Sequence, residues 1–274
     1  MNPSFPAVGE ALAIETVELT RRFGNYVAVD RLSLRVGSGI VFGLLGPNGA
    51  GKSTTIKMLT TLLPPSSGQA TVAGFDVVAR SRAVRSRIGY VPQMLSADGA
   101  LTGRENLRLS AALYGMDAAE ARGRMADALA FMGLDAFGDK LVKTYSGGMI
   151  RRLELAQAML HQPAVLFLDE PTIGLDPTAR HSVWDRLLEL RDRSGMTILL
   201  TTHDMEEADV LCDELAILHK GVVAVSGKPA ELKAALGAEA TLDEVFAHYS
   251  GGSIQESGRY IDVRQARSTA RRLG

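Results

Sequence analysis

The stretch IVFGLLGPNGAGKSTTIKML, Ile40 to Leu59, decides the fold. Ile40 to Leu45 is an apolar run of strand length. GPNGAGKST, Gly46 to Thr54, fits G-x-x-x-x-G-K-[ST]. From Lys52 to Leu63 apolar residues recur at helical spacing, until Pro64, Pro65, Ser66, Ser67 and Gly68 break the pattern. A strand, a tight loop and a helix in that order open a βαβ unit. Gly46, Gly49 and Gly51 let the backbone turn so that its N–H groups point inward, where they can hold phosphate oxygens. Pro47, Asn48, Ala50 and Thr54 complete the loop, and the helix adds its positive dipole end. Lys52 is expected to bridge the β- and γ-phosphates of ATP, and Ser53 to place its hydroxyl on Mg²⁺. A glycine-rich turn with no ligand is the competing reading, and the flanking strand and helix weigh against it.

Outward from the loop, the next informative run is VLFLDE, Val165 to Glu170. An apolar strand ending in two acids leaves Asp169 and Glu170 at the carboxyl edge of the sheet, where α/β proteins bind ligands. Asp169 is placed to hold Mg²⁺, and Glu170 to take the proton from an attacking water. Two adjacent acids could merely cap a strand; beside a phosphate loop that reading loses weight. TILLTTH ends another apolar strand at His203, at the same sheet edge. A histidine there is commonly a packing residue, but contact with a γ-phosphate is within reach.

Bulk composition narrows the classes. The chain has 274 residues, 46% hydrophobic and 22% charged, enough for a full globular core. Thirty basic residues face 31 acidic ones, so no net field draws the chain onto nucleic acid. Cys212, the single cysteine, cannot form an internal disulfide and reads as a small packed side chain in a reducing compartment. The N-terminus lacks the basic and apolar regions of a signal peptide, and no run approaches the roughly 20 apolar residues of a spanning helix. Any membrane-spanning part is expected on another chain.

Ile14 to Leu19, Tyr26 to Val29 and Leu32 to Val36 are short β-prone runs between turn residues, which suggest an antiparallel layer. A strand follows at Ile88 to Val91. From about Ala100 to Leu160 the chain is rich in Leu, Ala, Met, Arg and Glu without a convincing strand. Leu107, Ala111 and Tyr114, then Met125, Leu129 and Met132, fall at helical spacing and predict an inserted helical subdomain. Strands resume at Val165 to Leu168, Met196 to Thr201 and Leu215 to Leu218 with helices between them, the alternation of a parallel sheet covered on both faces. Beyond about Ser250 a polar segment carries Arg259, Arg264, Arg267, Arg271 and Arg272.

YSGGM, Tyr145 to Met149, runs into MIRRLELAQAML, which reads as amphipathic. Met149, Leu153, Ala156 and Leu160 share one face, and Arg151, Arg152, Glu154 and Gln157 are assigned to a polar one. A serine and two glycines at a helix start make a second anion site from backbone N–H groups.

These elements together resemble the nucleotide-binding subunit of ATP-binding-cassette (ABC) transporters. The matching motifs are GPNGAGKST, YVPQ ending at Gln93, YSGGM, VLFLDEP, IGLDP around Asp176, and His203, in order and spread from about Ile14 to Gly227. The resemblance implies an α/β phosphate-loop NTPase of the ABC type: a mixed sheet core, an antiparallel β-layer and an inserted α-helical subdomain. The ATPase domain would span 12–227 with its insert at about 95–160, and 228–274 would be a helical extension and polar tail. Phe23 would stack on adenine, and Gln93 would sense Mg²⁺ and communicate with a separate membrane permease. Ser146, Gly147 and Gly148 would hold the γ-phosphate bound to a second subunit, and Asp176 would lie at that interface. Two identical subunits would pair head to tail with two ATP molecules between them.

One departure is plain. The family's common signature is LSGGQ, and this chain has Tyr145 and Met149. The variant, with RRLELA, LTGRENL, HDMEEADVLCDELAIL and TLDEVFAHYSG, resembles the branch typified by daunorubicin-resistance ATPases. That implies an ATP-hydrolysing exporter subunit, held at the inner face of the cell membrane by its permease, for a drug-like, antibiotic or lipid-like substrate. An importer subunit and a non-transport ABC ATPase stay open as alternatives. A phosphate-loop kinase or GTPase is disfavoured by the signature helix and by the lack of an NKxD motif.

Overall fold

The computed structural model describes residues 12–250. The chain begins with two long strands, β1 (Leu12–Phe23) and β2 (Tyr26–Gly37). Then come β3 (Val41–Leu45), α1 (Lys52–Leu59), β4 (Ser67–Val72), β5 (Phe75–Asp76), α2 (Ser81–Arg85) and β6 (Ile88–Val91). The helical insert holds α3 (Gly103–Leu113), α4 (Ala118–Phe131) and α5 (Gly147–Met159). The core resumes with β7 (Val165–Asp169), α6 (Pro177–Ser194), β8 (Thr197–Thr202), α7 (Met205–Leu211), β9 (Glu214–His219) and β10 (Val222–Gly227). Two short helices, α8 (Pro229–Leu236) and α9 (Leu242–Tyr249), follow.

The strands form two sheets. The antiparallel one has the order β2-β1-β4-β5; the larger has the order β10-β9-β3-β8-β7-β6, parallel except for β10. The parallel strands are apolar because both of their faces are covered, and the period of two is still legible in which core each side chain enters. Leu45, Leu166, Leu168, Ile198, Leu200, Leu215 and Ile217 join the cluster under the helical insert, α6 and α7. Phe42, Leu44, Val165, Phe167, Leu199, Ala216 and Leu218 join the cluster under α1 and the antiparallel sheet. At Gly43 an added Cβ would stand 2.6 Å from the Cys212 sulfur, so the cysteine fills a close approach. Its burial pushes the thiol well above its ordinary range.

Several expectations change in detail. The two predicted runs within 26–36 are one strand, and β4, β5 and β10 have no counterpart in the sequence reading. The helix expected to reach Leu63 ends at Leu59. There the Thr60 hydroxyl donates to the Ile56 carbonyl at 2.8 Å, and Thr61 takes a left-handed φ of 64°. Tyr114 lies on the surface and stacks on His161 at 3.6 Å between ring centroids, whereas Leu107, Ala111, Met125, Leu129 and Met132 are buried as their spacing predicts. Leu232, Leu242 and Val245 of α8 and α9 are buried in the same cluster as β9 and α7. The arginine-bearing tail lies outside the described residues. Among the described residues no helix is long and apolar enough to cross a membrane.

Candidate nucleotide site

The loop after β3 is shaped by glycines that admit no substitute. A Cβ on Gly46 would meet the Leu218 carbonyl oxygen at 2.6 Å; one on Gly51, at φ +107°, would meet that of Ala28 at 2.6 Å. Gly51 heads α1, and α1 has neither a capping side chain nor an acid in its first turn. By contrast Thr102, Asp117, Ser146, Asp176, Asp204 and Thr241 cap α3, α4, α5, α6, α7 and α9. α2 and α8 lack a side-chain cap as well, but only α1 starts beside a buried lysine, where its first N–H groups can serve an external anion. Lys52 is 5% exposed and donates to the Gly46 carbonyl at 2.7 Å, which holds its ammonium inside the loop. Burial pulls its pKa below the ordinary amine range, and Glu170 and Asp169 act in the opposite direction.

The two acids occupy the end of β7. Asp169 Oδ1 accepts from the Thr201 hydroxyl at 2.6 Å and from the Ser53 hydroxyl at 3.0 Å. Glu170 has a left-handed φ of 49°, a conformation that costs a non-glycine residue on the order of 1–3 kcal/mol. Its N–H is held at the Thr201 carbonyl at 3.1 Å and at the Thr201 hydroxyl at 3.0 Å. The turn sends the carboxylate into the loop. Glu170 Oε2 accepts from Gln93 Nε2 at 3.2 Å, and Oε1 lies 3.5 Å from Lys52 Nζ and 3.4 Å from His203 Nδ1. Gln93, Lys52 and His203 therefore meet on one carboxylate. His203 is half exposed, while Glu170 is buried.

The remaining expected residues lie apart from it. Phe23, at the tip of the β1–β2 hairpin, is 46% exposed, and the Arg21 guanidinium stands 4.6 Å from its ring centroid. Tyr26, paired with Phe23, makes a long hydrogen bond of 3.5 Å from its hydroxyl to the Gly49 carbonyl, tying that hairpin to the phosphate loop. Ser146 caps α5 by accepting from the Met149 N–H. Gly147 and Gly148 pack against Leu175 and Ala179, where a Cβ on Gly148 would stand 2.7 Å from that of Ala179. Asp176 caps α6 through the Ala179 N–H at 2.9 Å.

The amphipathic reading of α5 is corrected. Arg151 and Glu154 are 1% and 3% exposed, not on a polar face. They pair at 3.0 Å because the loop after β6 offers polar backbone on that side. Arg151 donates to the carbonyls of Pro92 and Gln93 at 2.7 and 2.8 Å, and Glu154 accepts from Ser96 and Ala97. A second buried group also escaped the sequence reading: Glu207 accepts from Thr172 at 2.6 Å and from the Trp184 indole at 3.0 Å. Nothing in a helical period marks a charge that is buried because a loop's carbonyls face it.

The donor set suits a hard cation and a polyphosphate. Among the described residues no three His, Cys, Asp or Glu side chains form a metal cluster. Mg²⁺ needs none, since it keeps several waters and takes one or two protein oxygens. The adjacent oxygens of Ser53 and Asp169 are of that kind, and they sit beside a buried ammonium and an uncapped helix start.

Residues 29–173 match the ABC transporter family model. The chain is 49% identical over 225 residues to the daunorubicin/doxorubicin resistance ATP-binding protein DrrA of Streptomyces peucetius, covering 82% of this chain and 68% of that protein. It is 48% identical to the Nod factor export ATP-binding protein I of Sinorhizobium fredii, over 80% of this chain and 63% of that one. A solved ATP-binding subunit of an ABC transporter superposes with a TM-score of 0.77 at 30% identity, covering 87% of this chain and 99% of that chain.

Proposed function

Because the chain belongs to the ATP-binding subunits of ABC transporters, in the daunorubicin-resistance exporter branch, we propose that it hydrolyses Mg-ATP to drive export through a separate membrane permease. The observation that carries this reading is the convergence of Lys52, Gln93 and His203 on Glu170, with Ser53 and Asp169 alongside.

The loop from Gly46 to Thr54 (Pro47, Asn48, Gly49, Ala50, Gly51, Lys52 and Ser53 between them) holds the phosphates through backbone N–H groups and the Lys52 charge. Phe23 offers its exposed ring to adenine. Ser53 and Asp169, with Gln93 nearby, are the residues to hold Mg²⁺, which when bound neutralises charge on the phosphate oxygens. Glu170 accepts the proton from a water as its oxygen bonds to the γ-phosphorus and the bond to the bridging oxygen of ADP breaks. His203 donates toward the γ-phosphate from the open side. Ser146, Gly147 and Gly148 present the start of α5 to a nucleotide on a second, identical subunit, with Asp176 at the same interface. Closing two subunits on ATP and reopening them after hydrolysis moves the permease between two states. The likeness to resistance and Nod-factor export proteins supports a drug-like, antibiotic or lipid-like cargo.

The test is hydrolysis and dimerisation together. Purified chain should release phosphate from Mg-ATP, and Glu170→Gln should bind ATP, stop turnover and elute as a dimer on size exclusion. Co-expression with its permease should raise the rate. Failure to hydrolyse ATP with or without that partner would overturn the proposal.

A further inference from the structure

We propose that Thr201, which no motif singles out, is a positioning residue for both catalytic-site acids: its one hydroxyl sets the orientation of Asp169 and the backbone turn at Glu170. The inference rests on the roles given above to those two acids, and it concerns a side chain one strand away from them.

Thr201 is fully buried on β8, directly opposite Asp169 in the parallel register. Its hydroxyl donates to Asp169 Oδ1 at 2.6 Å and accepts from the Glu170 N–H at 3.0 Å. A hydroxyl has one proton and two lone pairs, so both bonds are compatible and together fix its rotor. The donated bond is charge-assisted. It occupies the same oxygen that Ser53 reaches and leaves Oδ2 as the carboxylate's other face. The accepted bond acts at the residue whose left-handed backbone aims its carboxylate toward Lys52, Gln93 and His203. Valine has nearly the same shape and would fill the site, but it would leave Asp169 Oδ1 held by Ser53 alone and would remove one of the two acceptors at the Glu170 N–H. Thr202, one residue on, cannot substitute: its hydroxyl accepts from the Asp204 N–H and serves the next turn.

Outer-shell partners of metal-holding carboxylates typically matter by roughly 10–100-fold in metal affinity or activity. Thr201→Val should therefore weaken Mn²⁺ binding in the presence of ADP, read by electron paramagnetic resonance, by about tenfold or more. It should lower kcat by a similar factor while the KM for ATP changes less, because the phosphate loop is untouched. Thr201→Ser keeps the hydroxyl and should stay within about threefold of the native chain on the same measures, a separation set against that outer-shell scale. Should the valine variant not fold, Thr201→Ala against Thr201→Ser makes the same comparison, since the two differ only by the hydroxyl. Native-like Mn²⁺ affinity in the valine or alanine variant, or equal damage in the serine variant, would overturn the proposal. A native chain that neither binds Mn²⁺ with ADP nor hydrolyses ATP would instead overturn the assignment of Asp169 and Glu170.

Discussion

The guanidinium of Arg151 donates to the carbonyl of Gln93 at 2.8 Å, across 58 residues of sequence and from the helical insert to the loop that reaches Glu170. Its partner Glu154 holds the same loop three and four residues further on, at Ser96 and Ala97. The segment that carries Gln93 is thus fastened to α5, whose start is the signature Ser146.

The pair is also a stability element. Removing one member of a buried ion pair leaves an uncompensated charge and costs about 3–5 kcal/mol. Glu154→Ala should lose about that much in urea denaturation, with Arg151 left buried. Arg151→Met with Glu154→Leu should recover only part of the loss, because it removes the buried charges but also the partners of the Pro92 and Gln93 carbonyls and of the Ser96 and Ala97 N–H groups. A single-variant loss under about 1 kcal/mol would mean that the pair is solvated in solution.

Glu170→Gln keeps the shape of the side chain and removes its ability to take a proton. Turnover should fall by about 10²–10⁴, the usual contribution of a positioned general base. ATP affinity should hold, since Lys52 keeps its bond to the Gly46 carbonyl. Phosphate release near the native rate would remove Glu170 from the role of base.

How much of this was written in the chain is best judged residue by residue. The strand–loop–helix at Ile40 to Leu59 was legible because glycine spacing, an apolar run and a lysine coincide within 20 positions. The acids Asp169 and Glu170 were legible because a parallel strand buried on both faces is conspicuously apolar up to its end. β4 was not, since SGQATV is led by small polar residues, and β10 was not, since VVAVSG is a partly exposed edge strand outside the run of buried parallel strands. Arg151 and Glu154 failed a periodicity argument for another reason. Helical phase tells which residues share a face, but whether that face meets water or a loop's carbonyls is decided by the tertiary fold. Thr201 was invisible within an apolar strand, where a buried threonine looks like one more β-branched residue.

Lys52→Ala removes the only cation found on the phosphate loop itself. A hydrogen bond to a charged group contributes about 1.5–3 kcal/mol, which is roughly one to two decades in affinity. Titration with a fluorescent ATP analogue should show a loss in that range, with circular dichroism unchanged. Unaltered affinity would mean that the backbone N–H groups alone hold the phosphates.

Glu207 gives a pH dependence of defined sign. It is 1% exposed, and burial raises its pKa above the usual range, against the opposing hydrogen bonds from Thr172, Thr202 and Trp184. The native state therefore holds this proton more tightly than the unfolded chain, in which the group titrates near about 4.3. Where the native state binds more protons, stability falls as pH rises. Glu207 accordingly favours folding below the ordinary glutamate range, and this contribution is lost as pH climbs through the raised value. Glu207→Gln does not titrate. The stability of that variant minus that of the native chain should become more positive from acid to neutral pH, with titrating groups remote from Glu207 cancelling in the difference. Urea denaturation of both proteins across that window measures it. A flat difference would show that Glu207 titrates alike in the folded and unfolded chains, and a falling one that the bonds to Thr172 and Trp184 outweigh burial.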